Sequence, residues 1–292
     1  MSSSTLQNAL PPRDSATVII LRDSAAGPEV FLVRRHTASD VLGGAHVFPG
    51  GKLDASDMLL GADQLDQPLQ AMHSALAEPQ LQPAQAGGLY VAALREAFEE
   101  CGVLFAEDAD ANRAQALAAL TQAALPFNQA LARLQLRLRA SALAPWSRWI
   151  TPLSPSVSSK RFDTRFFVAA LPAGQRARHD DVETTESSWL LPRTALRHYR
   201  DGEINLAPPQ IMTLSHLARF ADVAAVLQAA RNSAPPLIFP EAVDADGERV
   251  LCYPGDAQHS VARRAMPGPT RLRLRQQRFV PEEGFDALLP SP

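Results

Sequence analysis

The sequence predicts a mixed α/β sandwich, on three observations. Short β-branched and apolar runs are interleaved with longer Ala- and Leu-rich stretches. Their order follows no regular strand–helix–strand rhythm, so the sheet is expected to be mixed rather than all-parallel. The 292 residues, 46% apolar and 20% charged, suffice for one large domain or a core domain with a substantial addition.

Residues 17–22 (TVIILR) and 29–35 (EVFLVRR) read as two strands joined by a loop containing Gly27-Pro28. Residues 45–49 then lead into Gly50-Gly51, a backbone able to turn sharply or approach a ligand closely. From Asp54 to Gln85 the chain is rich in Ala, Leu, Gln and Asp and punctuated by Pro68, Pro79 and Pro83, which predicts one or two short helices in an inserted loop. Gly87-Gly88 precede a helix expected from about Leu89 to Cys101, with Gly102 just past its C-cap. Leu94, Ala97, Phe98 and Cys101 give that helix an apolar stripe facing the core. Two helical stretches divided by Pro126 follow in 110–140. Strands are expected at 147–152, 164–170 and 186–191, and helices at 192–201, 207–219 and 220–231. Pro-bounded pieces at 248–253 and 270–275 are strand-like. The expected organisation is a flexible N-terminus (1–14), a main domain (15–232) with an insertion at 58–88, and a C-terminal extension (233–292). The extension is expected to pack on the core or to form a homodimer interface.

A formal net charge of −3 gives no reason to expect a nucleic-acid partner, although a small charged ligand remains compatible with it. No stretch approaches the roughly 20 apolar residues that cross a bilayer, and Met1–Ser15 lacks the basic and apolar regions of a secretory signal. A cytoplasmic protein is expected. Cys101 and Cys252 stand far apart and in no metal-ligand spacing, so they read as two reduced thiols rather than a disulfide, and clustered-cysteine zinc is excluded. The sequence carries no Gly-x-Ser-x-Gly elbow, no Gly-x-x-x-x-Gly-Lys phosphate loop, no Gly-x-Gly-x-x-Gly and no Cys-x-x-Cys.

The chemistry concentrates in Arg95-Glu96-Ala97-Phe98-Glu99-Glu100-Cys101-Gly102-Val103. On a helix Glu96, Glu99 and Glu100 fall at i, i+3 and i+4 and share one face. Like charges at that spacing cost about 0.2–0.5 kcal/mol per pair when unpaired. Three hard oxygen donors on a rigid element suit Mg²⁺ or Mn²⁺; the plain alternative is a solvated acidic face. Arg95, four residues before Glu99, is placed to hold carboxylates in position.

Together with Phe48-Pro49-Gly50-Gly51-Lys52-Leu53-Asp54-Ala55-Ser56-Asp57, this segment resembles the box of the Nudix family. That box runs Gly, five residues, Glu, seven residues, then Arg-Glu-apolar-any-Glu-Glu-any-Gly-apolar. Arg95–Val103 matches every defined position of the second half; Gly51 takes the opening Gly, and Asp57 stands where the family usually has Glu. Between Asp57 and Arg95 lie 37 residues (58–94) instead of seven. The peroxisomal-type coenzyme A diphosphatase branch has a long insertion at this point, and its relatives show a run like Lys160-Arg161-Phe162-Asp163-Thr164-Arg165-Phe166-Phe167. A coenzyme A signature is matched in part by Leu32, Arg34, Arg35, Gly44 and Phe48–Gly51, with Asp40 where it has Arg and His36 where it has a small residue.

The resemblance implies a Nudix α/β/α sandwich with a helical insertion within the box and a C-terminal extension. It implies Mg²⁺- or Mn²⁺-dependent hydrolysis of a diphosphate linkage in a small nucleotide derivative. The favoured substrate is coenzyme A or acyl-coenzyme A, giving 3′,5′-ADP and (acyl-)4′-phosphopantetheine. The rivals are a pyrophosphatase for ADP-ribose, dinucleotides or nucleotide sugars, and a non-catalytic nucleotide-binding module. Carried over by position, Glu99 and Glu100 are the first metal ligands, Glu96 is a further ligand or the base that activates water, and Arg95 belongs to the catalytic group. The carbonyl of Gly50 or Gly51 joins the coordination sphere, and Asp57 braces Arg95 or the helix. Asp180-Asp181-Val182-Glu183, ahead of Trp189, resembles the family's loop carboxylate, which makes Glu183 a further candidate ligand. Arg35, Arg161 and Arg165 are the candidate substrate-binding cations. For Arg161 and Arg165, an ion pair centred on Asp163 is the equal alternative to a phosphate.

Overall fold

The computed structural model describes residues 11–39, 42–153, 160–180 and 183–289. Its central sheet has eight strands: β1 (Arg13–Ser24), β2 (Gly27–Arg35), β3 (His46–Val47), β4 (Gly50–Lys52), β5 (Ala144–Ile150), β6 (Phe162–Ala170), β7 (Thr184–Leu190) and β8 (Leu237–Ile238). The order is β3-β2-β1-β6-β5-β8, with β4 also paired to β1 and β7 to β2. The β1/β6 and β5/β8 pairs are parallel and the remaining pairs antiparallel, so the sheet is mixed as expected.

The unbroken apolar run of β1 reflects burial on both faces. Val18 and Ile20 join one core, while Ile19 and Leu21 join the other. The first face carries α1 (Leu69–Leu76), α2 (Pro83–Cys101), α3 (Ala111–Gln122) and α4 (Phe127–Arg133). The second carries α5 (Pro192–Asp201), α6 (Pro208–Leu217) and α7 (Val223–Arg231). These layers make the α/β/α sandwich. No helix among the described residues is long and apolar enough to cross a membrane. Cys101 and Cys252 are both buried and free.

Three expectations need correction. The helix that carries the glutamates starts at Pro83, six residues before the expected Leu89. Proline suits a first helical position, and Gly87 and Gly88 lie inside the helix because the insertion packs directly on them. A Cβ at Gly88 would sit 2.7 Å from Met58 Cγ, and one at Gly87 would collide with Leu69. The six additional residues lengthen the expected helix by nearly two turns. The N-terminus is structured from Arg13, where β1 begins. And the boundary at 232 cuts the sheet, because β8 pairs with β5.

The rest of the extension forms a separate antiparallel sheet of β9 (Glu241–Ala245), β10 (Glu248–Cys252), β11 (Arg271–Arg275) and β12 (Arg278–Pro281). It packs on the core. Tyr199 Oη of α5 accepts from the Phe279 N–H and donates to the Phe279 carbonyl, both at 2.9 Å. Ser215 Oγ of α6 donates to the Leu288 carbonyl at 2.6 Å, and Tyr253 meets Trp149 edge-on with ring centres 6.0 Å apart. Each large apolar side chain buried at this seam contributes about 1.5–3 kcal/mol.

Candidate active site

Two elements bring the acidic residues to one place. β4 lies antiparallel to β1, pairing Gly50 with Thr17 and Gly51 with Ala16. The last turns of α2 pack against that strand, and a side chain at Gly51 would collide with the Glu96 carboxylate. At Gly50 the close approach is to backbone, a Cβ there sitting 2.5 Å from the Ala16 carbonyl oxygen, so glycine is required at that position. The helix ends at Gly102, whose φ of 68° is left-handed and whose N–H donates to the Phe98 carbonyl at 2.8 Å.

Arg95 is the hub of the site and is itself buried. Its Nε and Nη2 donate to the two Asp57 oxygens at 2.9 and 3.1 Å, and Nη2 also reaches the Lys52 carbonyl at 3.0 Å. Nη1 donates to Glu96 at 2.8 Å and to Glu99 at 2.9 Å. Burial alone would weaken its charge; the Asp57 hydrogen bonds and the surrounding carboxylates outweigh that and hold the guanidinium protonated. Asp57, buried in the middle of a short 3-10 turn (Ala55–Leu59), also accepts from the Asp54 N–H at 2.9 Å.

Glu100 is buried and accepts from the Gly50 N–H at 3.0 Å. Desolvation, aided by the Glu96 charge, pushes its carboxyl up to about 8. Desolvation likewise pushes Glu96 up to about 7 against the pull of Arg95, with Glu99 and Glu183 adding to the rise. Glu99, more open, is also raised by desolvation. Glu183 acts on both Glu96 and Glu100, so it belongs to the same acidic group although it comes from the loop before β7. Asp40, Asp181 and Val182 lie outside the described residues.

The acidic group opens on a cavity of about 850 Å³, bordered by Gly50, Gly51, Arg95, Glu96, Glu99 and Glu183. Arg35 also borders it, at a β-bulge in the β2/β7 pairing, and its buried Nε has no hydrogen-bond partner. Bulges of this kind re-aim a side chain next to functional sites.

The other two candidate cations lie elsewhere. On β6 the cavity is bordered by Phe162, Thr164 and Phe166, so the alternation of a strand turns Asp163 and Arg165 to the opposite face. There Arg165 donates to Glu78 at 2.9 and 2.7 Å, pairs with Asp163 and contacts Asp14. Arg148 joins the same cluster through Glu78 and Asp163. The ion-pair alternative therefore describes Arg165, which is spent on tying the insertion to the sheet. Arg161 donates to the Thr151 and Pro152 carbonyls at 3.1–3.2 Å and closes the β5–β6 connection. Trp149, Gln210, Leu251 and Phe279 border the cavity without any motif having marked them. Only the fold brings them together.

A divalent cation fits this group by chemistry. Carboxylate oxygens are hard donors, and the burial that lifts Glu96 and Glu100 above the usual carboxylate range leaves a site that a cation would neutralise. Among the described residues no three ligating side chains close on a common point, and Arg95 Nη1 is bonded to both Glu96 and Glu99.

A family model described as the NUDT19 Nudix domain matches residues 11–217. The chain belongs to this Nudix family. Two similar proteins are the acyl-coenzyme A diphosphatases NUDT19 of Xenopus laevis and Homo sapiens. The first is 30% identical over 233 residues, 67% of this chain and 61% of that protein. The second is 30% identical over 240 residues, 68% of this chain and 63% of that protein. The chain thus spans somewhat over three-fifths of the length of these relatives. Among solved structures, a Nudix hydrolase from Alicyclobacillus acidocaldarius superposes with a TM-score of 0.57 at 26% identity, covering 77% of this chain and 97% of that one. The Nudix match ends with α6, so the whole C-terminal extension lies beyond it.

Proposed function

We propose that the chain is a divalent-metal-dependent diphosphatase that cleaves coenzyme A or acyl-coenzyme A to 3′,5′-ADP and (acyl-)4′-phosphopantetheine. One observation carries the reading: Glu96, Glu99, Glu100 and Glu183 gather beside Gly50-Gly51 at the edge of a large cavity. The names of the curated relatives supply the substrate class.

Glu99, Glu100 and Glu183 would hold the cation, with a carbonyl of Gly50 or Gly51. A bound Mg²⁺ or Mn²⁺ supplies Lewis acidity for the diphosphate and its nucleophile. Arg95 fixes Glu96 and Glu99 through Nη1, and the Gly50 N–H fixes Glu100. Glu96, at the cavity wall, serves as a further ligand or accepts the proton of the attacking water. Arg35, with a free Nε donor, takes a diphosphate oxygen. Water attacks one phosphorus, the bridging P–O bond breaks, and the second phosphate leaves.

Purified protein with coenzyme A and Mg²⁺ or Mn²⁺, and EDTA as control, is expected to release 3′,5′-ADP in a metal-dependent way, read by chromatography. Glu99→Gln and Glu100→Gln should each lower turnover by roughly 100-fold or more while keeping the wild-type circular dichroism spectrum, as expected when charge stabilisation is removed. Full activity in both variants refutes the site. Cleavage of ADP-ribose or a dinucleotide but not coenzyme A replaces the substrate, and cleavage of none of them leaves a nucleotide-binding module.

A further inference from the structure

The cavity has two chemically different ends, and the sheet register gives their separation. Gly50 of β4 pairs with Thr17 of β1, Thr17 with Phe166 of β6, and Thr164 of β6 with Trp149 of β5. Neighbouring strands lie about 4.8 Å apart. Three strand steps and a two-residue shift along β6 therefore put Trp149 roughly 16 Å from Gly50 and the acidic group.

The far end carries a buried apolar wall, with Thr151, Lys160 and Thr164 beside it. Trp149, Phe166, Leu251 and Phe279 border the cavity while each is less than 5% exposed to solvent. Leu251 and Phe279, with Pro240, come from the extension beyond the matched Nudix stretch. α6 also starts at the cavity wall, just after Leu206 bridges His46 of β3, but Pro208 and Pro209 occupy its first turn and bring no N–H donors. This helix start is thereby unsuited to a phosphate. Gln210 of this turn borders the cavity at 6% exposure, and its Oε1 has no hydrogen-bond partner.

We infer that this end is a chamber for the acyl chain of a coenzyme A thioester, walled by Leu251 and Phe279 of the extension against Trp149 and Phe166, with Gln210 Oε1 accepting from an amide N–H of the pantetheine arm. The inference rests on the proposed function and names the residues that select the substrate's apolar part. The two lengths are close. Between diphosphate and sulfur the arm has a backbone about as long as four peptide residues, roughly 14 Å when extended. An arm laid across β4, β1, β6 and β5 delivers its sulfur to the apolar end. A buried CH₂ raises affinity by up to about fourfold, so the chamber's dimensions translate into chain-length preference.

The test is calorimetric binding of coenzyme A, dodecanoyl-coenzyme A, hexadecanoyl-coenzyme A and 3′,5′-ADP to the full chain in EDTA, beside the cleavage assay with metal. Wild type is expected to bind dodecanoyl-coenzyme A at least tenfold more tightly than coenzyme A. Leu251→Trp fills the chamber and should cut that preference below threefold. Phe279→Ala enlarges it and should shift preference towards hexadecanoyl-coenzyme A. Opposite shifts cannot arise from general loss of fold, which melting curves of both variants monitor. The inference is overturned if both substitutions weaken all the coenzyme A species by one common factor. It is also overturned if they act on 3′,5′-ADP, which would assign the chamber to the adenosine half. Cleavage of coenzyme A with no acyl preference in the wild type defeats this inference alone. Failure to cleave any coenzyme A species with Mg²⁺ or Mn²⁺ defeats the proposed function and this inference with it.

Discussion

Arg95 shows how a single residue organises the site. Its guanidinium spends one edge on Asp57 and turns Nη1 to Glu96 and Glu99, so a structural ion pair sets the direction of two acidic side chains. Asp57→Ala would leave that buried cation without its two-pronged partner, a loss that typically costs about 3–5 kcal/mol. Urea unfolding should show a lower midpoint at unchanged slope, and turnover should fall with it. A wild-type midpoint would mean that Glu96 and Glu99 alone neutralise Arg95. At this scale Arg95–Val103 was legible, because helical spacing alone puts three carboxylates on one face. Arg165 was not. Alternation puts Asp163 and Arg165 on a common side of β6 without saying which layer that side meets, and Phe167 on the same side packs against Tyr90 of α2. Arg161 precedes the strand and is used by backbone carbonyls, for which its neighbours in sequence give no signal.

Among the elements, α2 defies the reading of Gly87-Gly88 as a helix boundary. Glycine is a poor helix residue by itself, but here the insertion lies so close that packing decides. Gly88→Val should force apart the contacts with Met58 and Leu53 and lower stability by about 1–3 kcal/mol, the range for overpacking. A thermal melt equal to wild type would show that the insertion gives way without cost. On α6, His216 lies against Trp146 with ring centres 4.6 Å apart, and burial lowers its imidazole to about 4 from the ordinary 6.5. A lowered imidazole pKa means the unfolded chain binds the proton more readily than the folded one. Its contribution is complete above about pH 6.5 and is lost as pH falls towards 4. The effect is at most about 3 kcal/mol. His216→Phe should remove that part of the acid sensitivity, read as the difference between the two unfolding profiles across this window. Parallel profiles would show that His216 binds its proton equally well in both states.

For the whole molecule, the sandwich was legible because strand and helix signals were interleaved, whereas the extension's place was not. Its strands β9 and β12 are short and carry charges, so neither alternation nor length marks them. A chain ending at Asn232 would lose β8 from the main sheet and the cover over Tyr199 and Trp149. Low soluble yield and a much reduced melting temperature are expected; a truncated chain as stable as the full one would make the extension an accessory. The pairing of β1 with β6 has a consequence during synthesis. Ser15 and Thr164, hydrogen-bonded across these strands, are 149 residues apart in the chain. At about 5–20 residues per second, the ribosome needs roughly 7–30 seconds to travel that far. Throughout that interval the apolar edge of β1 is in the cell without its permanent neighbour, exposed to any other chain with a free strand. The newborn protein is thus most at risk of aggregation midway through its own translation.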